Sequence, residues 1–355
     1  MAKSLMKGNE ALAEAAIRAG CKCFFGYPIT PQTELSAYLS KRMKTAEGFT
    51  FLQAESEVAA INMVYGAAAA GVRVMTSSSS PGISLKSEGI SYIAGADLPC
   101  VIINVQRGCP GLGGIQPSQA DYWQATKGLG HGDFRLLVYA PSSVQEMVDT
   151  IGKAFDNAEK FRLPAMLLAD GILGQMMEPV EFIDDLQNTE ENVKEWATTG
   201  HKNQRKHNIV NSLYLQPNEL EDSNRARWER YAQMEKELPE AESYLTEDAD
   251  IVVVGYGSTA RIAKSAVNKA REKGIKAGLF RPITLFPYPK ELLIKASEKA
   301  TSLLTVEMSM GQMVDDVRAA IEYKKPVHFY GRTGGIIPKP GEILSEIEKI
   351  AGGVK

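Results

Sequence analysis

Ala54-Glu55-Ser56-Glu57-Val58-Ala59-Ala60 places two carboxylates where an apolar run, Phe49 to Leu52, gives way to a helix of unusually small residues ending at Gly71. A first-turn glutamate complements the helix dipole, and the same position can present an acid for proton transfer. With Tyr65, Gly66 and the run Ala67 to Ala70, the helix lets a second backbone or a flat ligand come close. Three further segments bring polar groups to similar places. In Gly26-Tyr27-Pro28-Ile29-Thr30-Pro31-Gln32, Thr30 ahead of Pro31 has the form of a helix N-cap followed by proline at the first helical position. Ser77-Ser78-Ser79-Ser80-Pro81-Gly82 precedes another helix, where hydroxyls either cap the backbone or cradle an anion. Arg107 opens the glycine-rich stretch Gly108 to Ser118, placed either for a surface ion pair or for bidentate capture of a carboxylate, with a loop suited to a lid.

The elements that carry these residues read as alternating strands and helices. Strands are expected at Lys22 to Gly26, Phe49 to Leu52, Val72 to Thr76, Pro99 to Gln106, Leu136 to Tyr139 and Pro164 to Ala169, with helices at 9–19, 32–43, 56–70, 82–96, 118–128 and 142–160. Near-continuous apolar strands suit burial on both faces, so the fold class is α/β with a doubly wound, mostly parallel sheet. Ligands of such sheets bind at the carboxyl ends of the strands, where all four segments lie. Residues 185–247 form a charged connector with a helix-like stretch, Asn218 to Glu237, and with Trp196, Trp228 and Tyr231 available to clip it to a domain surface. A smaller α/β unit follows, with strands at Ile251 to Gly255, Lys276 to Phe280, Ser302 to Glu307 and Pro326 to Tyr330, and helices at 260–273, 289–299 and 311–322.

The chain has 355 residues, 44% hydrophobic and 23% charged, enough for two domains. A net charge of −3 gives no general attraction to nucleic acid or to an anionic membrane. The start of the chain lacks a signal-peptide pattern, and a cytoplasmic location is expected. Cys21, Cys23, Cys100 and Cys109 form no C-x-x-C pair, so no metal or iron–sulfur site of the chain's own is expected. Gly255-Tyr256-Gly257-Ser258-Thr259-Ala260 fits a dinucleotide pattern, with Arg281 in place of the acidic ribose partner, which leaves an NADP-binding reductase as an alternative.

Tyr27-Pro28-Ile29-Thr30-Pro31, Ser56-Glu57-Val58-Ala59-Ala60 and Asn104-Val105-Gln106-Arg107-Gly108 together resemble the α subunit of the 2-oxoacid:ferredoxin oxidoreductases, which use thiamine diphosphate. The resemblance covers nearly the whole chain. Residues 1–184 are similar to the pyrimidine-binding domain and 248–355 to the transketolase C-terminal-like domain, including Val254 to Ser258 and Arg281 to Pro287. The run 111–122 looks like the branched-chain, 3-methyl-2-oxobutanoate (2-oxoisovalerate) type, whereas 2-oxoglutarate relatives usually carry Ser-Thr-Gly and Pro-Thr-Lys patterns there.

The resemblance implies roles. Glu57 matches the glutamate that hydrogen-bonds ring nitrogen N1′ of the cofactor's aminopyrimidine, and protonation there favours the imino tautomer whose exocyclic nitrogen removes the thiazolium C2 proton. Apolar packing by Val58 and the alanines would suit such an acid, and Glu55 is structural. Arg107 and Thr30 match the substrate-binding pair, and Tyr27 and Pro28 line the pocket beside the pyrimidine. The diphosphate motif, Gly-Asp-Gly, is absent; Ala169-Asp170-Gly171 and Gly132-Asp133-Phe134 do not fit it. A β subunit holding diphosphate and magnesium, an iron–sulfur subunit, ferredoxin and coenzyme A are therefore implied. The expected reaction is oxidative decarboxylation of a branched-chain 2-oxoacid to its acyl-CoA. A 2-oxoglutarate- or pyruvate-specific member and a non-catalytic scaffold subunit are the remaining alternatives.

Overall fold

The computed structural model describes residues 3–44, 47–182 and 194–353. Its first part contains β1 (Ser4–Lys7), α1 (Gly8–Arg18), β2 (Cys23–Gly26), α2 (Thr33–Met43), β3 (Thr50–Gln53), α3 (Glu57–Ala69), β4 (Val74–Ser78), α4 (Ser80–Gly95), β5 (Cys100–Gln106), β6 (Leu137–Tyr139), α5 (Val144–Phe161), β7 (Pro164–Asp170), α6 (Gly171–Gln175) and β8 (Met177–Val180). After α7 (Pro217–Glu237) come β9 (Ala241–Tyr244), β10 (Ile251–Val254), α8 (Gly257–Glu272), β11 (Ala277–Pro282), β12 (Thr284–Phe286), α9 (Lys290–Ala296), β13 (Ser302–Glu307), α10 (Met313–Ala320), β14 (Val327–Gly331) and α11 (Pro340–Ala351).

The larger sheet has seven strands in the order β12-β6-β7-β5-β4-β2-β3, all parallel except β12. Its central strands β4, β5 and β7 are buried along their full length, including the polar ends of β4 and β5, Thr76 to Ser78 and Asn104 to Gln106. The second sheet runs β14-β13-β10-β11-β9, parallel except for β9. β12 belongs by sequence to the second unit but pairs with β6 of the first, Thr284 opposite Tyr139. One apolar core accordingly contains Ile102, Val138 and Leu168 of the first sheet together with Val252, Val254 and Phe280 of the second.

Several elements escaped the sequence reading. β1 and β8 form a two-stranded sheet that closes over α1. β9 lies within the stretch read as connector, and α11 seals the far side of the second sheet against α8. Residues 185–193 of that connector, with 183 and 184 before it, lie outside the described part. The expected helix at 118–128 is helical only at its end, with a wide π-type turn over Gln124–Gly128. Its first residues are drawn into extended contacts instead, because the Gln119 and Asp121 side chains bond to other elements. The connector aromatics do clip to the first unit: Tyr231 is buried, and the Arg162 guanidinium lies 4.0 Å from the Trp196 ring centre.

Candidate active site

Four neighbouring strands, β5, β4, β2 and β3, end side by side and carry the polar segments. At the end of β3 the Ser56 hydroxyl accepts from Ala59 N at 3.1 Å, which starts α3 with Glu57 in its first turn. Glu57 is turned inward and 6% exposed, while Glu55 faces solvent. The helix packs tightly against α4: a Cβ on Gly89 would come within 2.4 Å of Ile61. Gly66 faces open space within this chain, so the close approach it permits is not made by these elements. Val58, expected to pack around Glu57, points away and is 46% exposed.

The surroundings of Glu57 are polar. A Cβ on Gly82 would lie 2.8 Å from Glu57 Oε1 and 2.0 Å from Ser78 Oγ, so only glycine lets the first turn of α4 approach the carboxylate. The hydroxyls of Ser78 and Ser79 are fully buried and have no hydrogen-bond partner, and the Glu57 carboxylate accepts no hydrogen bond from the described residues. Lys86, two turns into α4, is fully buried and donates to Thr76 Oγ1 at 3.0 Å. Sequence reasoning missed Lys86. Its signal was a charge set in the apolar stripe of Ile83, Ile90 and Ile93.

Of the four serines, two serve the frame. Ser77 Oγ donates to Gln32 Oε1 at 2.6 Å, and Ser80 Oγ donates to Asp121 Oδ2 at 2.6 Å. Asp121 also accepts from Asn104 Nδ2 at 2.9 Å, and burial raises its carboxyl above the usual range. This triad fastens the residues after the glycine-rich loop onto β5 and α4. It too went unrecognised, though an asparagine inside an apolar strand marked it.

Arg107 is 8% exposed, not a surface cation, and it pairs with no acidic side chain among the described residues. Nη1 donates to Thr30 O and Nη2 to Leu112 O, each at 3.1 Å, while Nε is buried without a partner. The loop suited by its glycines to a lid or substrate loop is folded back on itself, with Gly108 N bonded to Gln116 O at 2.8 Å and Gly114 N to Gly108 O at 2.9 Å. Thr30 itself is exposed and does not cap α2. The Thr30–Pro31 peptide is cis, and Gln32 takes the cap position, anchored by its bonds to Tyr27 O and Ser77. Tyr27 and Pro28, in the same loop as Thr30, are exposed, Tyr27 to 37%. The structure therefore brings Thr30 and Arg107 into contact and places both Arg107 and Glu57 against the first turn of α4, through Ser80 and Gly82 respectively.

The Gly255 loop is not a nucleotide site. Gln119 Nε2 donates to Tyr256 O at 2.8 Å and Ser258 Oγ to Asp170 Oδ2 at 2.5 Å, so the first unit covers the start of α8 where a pyrophosphate would sit. Arg281 is held by two bonds to Glu146 and one to Glu242, which removes it as a phosphate partner. Among the described residues no three His, Cys, Asp or Glu side chains are grouped to hold a metal ion, and no helix is long and apolar enough to cross a membrane.

Comparison with known proteins agrees with this architecture. Residues 14–247 match the family model described as pyruvate flavodoxin/ferredoxin oxidoreductase, thiamine diphosphate-binding, and 249–343 match pyruvate:ferredoxin oxidoreductase core domain II. The chain is 49% identical over 352 residues, 99% of each protein, to ketoisovalerate oxidoreductase subunit VorB of Methanothermobacter marburgensis. It is 35% identical to 2-oxoglutarate synthase subunit KorA of Methanothermobacter thermautotrophicus, covering 97% of this chain and 98% of that one. A solved 2-oxoglutarate:ferredoxin oxidoreductase from Magnetococcus marinus, with 2-oxoglutarate, coenzyme A and succinyl-CoA bound, superposes with a TM-score of 0.85 at 26% identity. That match covers 98% of this chain but 65% of the solved one. With two family domains in order and whole-length relatives that are themselves oxidoreductase subunits, the chain belongs to the 2-oxoacid:ferredoxin oxidoreductase family as a subunit with a thiamine diphosphate-binding domain.

Proposed function

We propose that the chain is the α subunit of a heteromeric oxidoreductase that converts a branched-chain 2-oxoacid, 2-oxoisovalerate in the first instance, to its acyl-CoA with electrons passing to ferredoxin. Residues 1–184 act as the pyrimidine-binding domain, 185–247 as a connector and 248–355 as the transketolase C-terminal-like domain. The observation that carries the cofactor role is Glu57: a buried carboxylate at the carboxyl end of β3 with no hydrogen-bond donor among the described residues, beside two orphaned serine hydroxyls. Buried polar groups are almost always paired, so this set fits an outside ligand with a protonable nitrogen. Whole-length identity to ketoisovalerate subunits favours the branched-chain substrate.

In this reading Glu57 holds a proton between its carboxylate and N1′ of the cofactor, and Tyr27 and Pro28 flank the pyrimidine. Thiamine diphosphate, when bound, supplies the carbon nucleophile that 2-oxoacid decarboxylation needs. Arg107 uses its free Nε, and the guanidinium face around it, to fix the substrate carboxylate; the exposed Thr30 hydroxyl bonds the same carboxylate or the keto oxygen. The sequence carries no Gly-Asp-Gly motif for the diphosphate, so a β subunit supplies that site with magnesium, and an iron–sulfur subunit carries electrons to ferredoxin. Leu112 and Ile115, 85% and 57% exposed on the loop beside Arg107, are apolar surface that such a neighbour would cover.

The complex is to be reconstituted with its partner chains and assayed on 2-oxoisovalerate, 2-oxoglutarate and pyruvate with a redox dye. Glu57→Gln should leave assembly intact and lower kcat by about a hundredfold or more. Near-parental turnover would remove Glu57 from the role, and a preference for 2-oxoglutarate or pyruvate would replace the substrate.

A further inference from the structure

Lys86 is buried on the α4 face that meets Glu57. Its only hydrogen bond among the described residues goes to Thr76 Oγ1, a hydroxyl already donating to Phe25 O at 2.6 Å. An ammonium carries three donors, and one hydroxyl leaves two of them unanswered. Charge buried in this way persists only with a counter-charge. The elements facing Lys86 supply one. From β4 come Thr76 and Ser78 and from β2 a backbone carbonyl, none of them ionisable at neutral pH, whereas α3 supplies Glu57. Burial pushes the Lys86 ammonium down to about 8, and among the described residues the charge of Glu57 acts on it in the opposite direction.

The helix geometry points the same way. Lys86 and Gly82 are four residues apart and so share one face of α4, and long helical side chains lean toward the N-terminus. That lean carries the Lys86 stem toward the turn where the absent Cβ of Gly82 makes room for Glu57 Oε1.

We propose that Lys86 is a positioning residue for Glu57: its buried ammonium is the counter-charge that holds the carboxylate facing the first turn of α4 until a protonable ring nitrogen becomes its partner. This rests on the role of Glu57 proposed above. It adds that the placement of the acid is set inside this chain, by a side chain that need not touch cofactor or substrate.

Coupling between two charges is reciprocal, so it can be read from Lys86 with no cofactor bound. In the assembled complex carrying isotope-labelled lysine, Glu57→Gln should move the loss of the Lys86 proton to lower pH by about one unit or more, followed by the side-chain nitrogen resonance. Equal midpoints in parent and variant would overturn the inference. In turnover assays Lys86→Met should move the acid limb of kcat/KM to higher pH by about one unit or more, and Lys86→Arg, which keeps the charge, should restore it. An assembled Lys86→Met complex with an unmoved limb overturns the inference as well, and if that variant does not assemble the nitrogen titration decides. The two proposals separate cleanly. Lost turnover in Glu57→Gln with unmoved Lys86 readouts rejects Lys86 alone, while full turnover in Glu57→Gln rejects the role of Glu57 whatever Lys86 does.

Discussion

Arg107 commits two nitrogens to backbone carbonyls, those of Thr30 and Leu112, and keeps Nε buried and unpaired. A guanidinium in this state is already desolvated and aimed, so an incoming carboxylate gains a charge-assisted bond without first dismantling an internal ion pair. Arg107→Ala should raise KM for the 2-oxoacid by about thirtyfold, the equivalent of about 2 kcal/mol for a hydrogen bond to a charged group, with a smaller change in kcat. Lysine at this position should not rescue, because a single ammonium cannot answer two carbonyls in a fixed fork and a substrate together. Steady-state kinetics of both variants in the reconstituted complex check this, and an unchanged KM in Arg107→Ala would assign the residue to holding the loop.

Glu14 shows how the elements beneath the site are tied. It sits on α1, 5% exposed, and accepts from Arg18 at 3.0 Å, from Arg42 of α2 at 3.0 and 3.2 Å, and from Tyr38 of α2 at 3.0 Å. Burial alone would push its carboxyl upward, but the bonds from Arg42, Arg18 and Tyr38 outweigh it and hold the group below its ordinary value. Glu14→Gln should therefore cost about 1.5–3 kcal/mol at neutral pH. Because the folded carboxyl is the stronger acid, that difference is present above the unfolded value of about 4.3 and fades as pH falls below it. Denaturant titrations of parent and variant at pH 7 and at acid pH check the sign; a gap that widens toward acid would refute it. The strands and helices of the parallel sheet were legible because their apolar periods differ from those of their polar connections. β1, β9 and β12 were not, since each is a short strand whose pairing depends on a partner distant in sequence. At the site, the positions of Glu57 and Arg107 could be read from strand ends and helix starts. The cap at Gln32, the folded glycine loop and buried Lys86 could not, because each is decided by contacts between segments that the sequence does not place side by side.

A fully buried amide is one of the links between the two sheets. Gln119 Nε2 donates to Tyr256 O at 2.8 Å, while Oε1 accepts from Thr259 Oγ1 and from Met308 N, each at 3.1 Å. Its backbone N–H also donates to Met308 O at 2.9 Å, so this residue reads both the start of α8 and the end of β13. Two residues later Asp121 meets Ser80 and Asn104, the frame from which Arg107 leaves β5. A displacement of the second unit is thereby transmitted to the site through a three-residue span. Removing the amide with Gln119→Ala strands the buried Met308 N–H, at a cost of about 1–3 kcal/mol, while Tyr256 O keeps its bond from Thr259 Oγ1 at 2.7 Å. Replacement by glutamate should be worse, since it keeps the acceptor, loses the donor and buries a charge with no cation beside it. The expected outcome for Gln119→Ala is a lower unfolding midpoint together with a raised KM for the 2-oxoacid, although residue 119 lies on the second-unit side of the loop. Unfolding should also lose cooperativity, because β12, the shared core and the bonds of Ser258 to Asp170 and Arg281 to Glu146 then couple the sheets without this amide. Denaturant curves followed by fluorescence and by far-ultraviolet circular dichroism check this last point. Coincident curves with a parental midpoint would mean that the apolar core and the remaining bonds, among them Ser258 to Asp170 and Arg281 to Glu146, fix how the second unit sits on the first without Gln119.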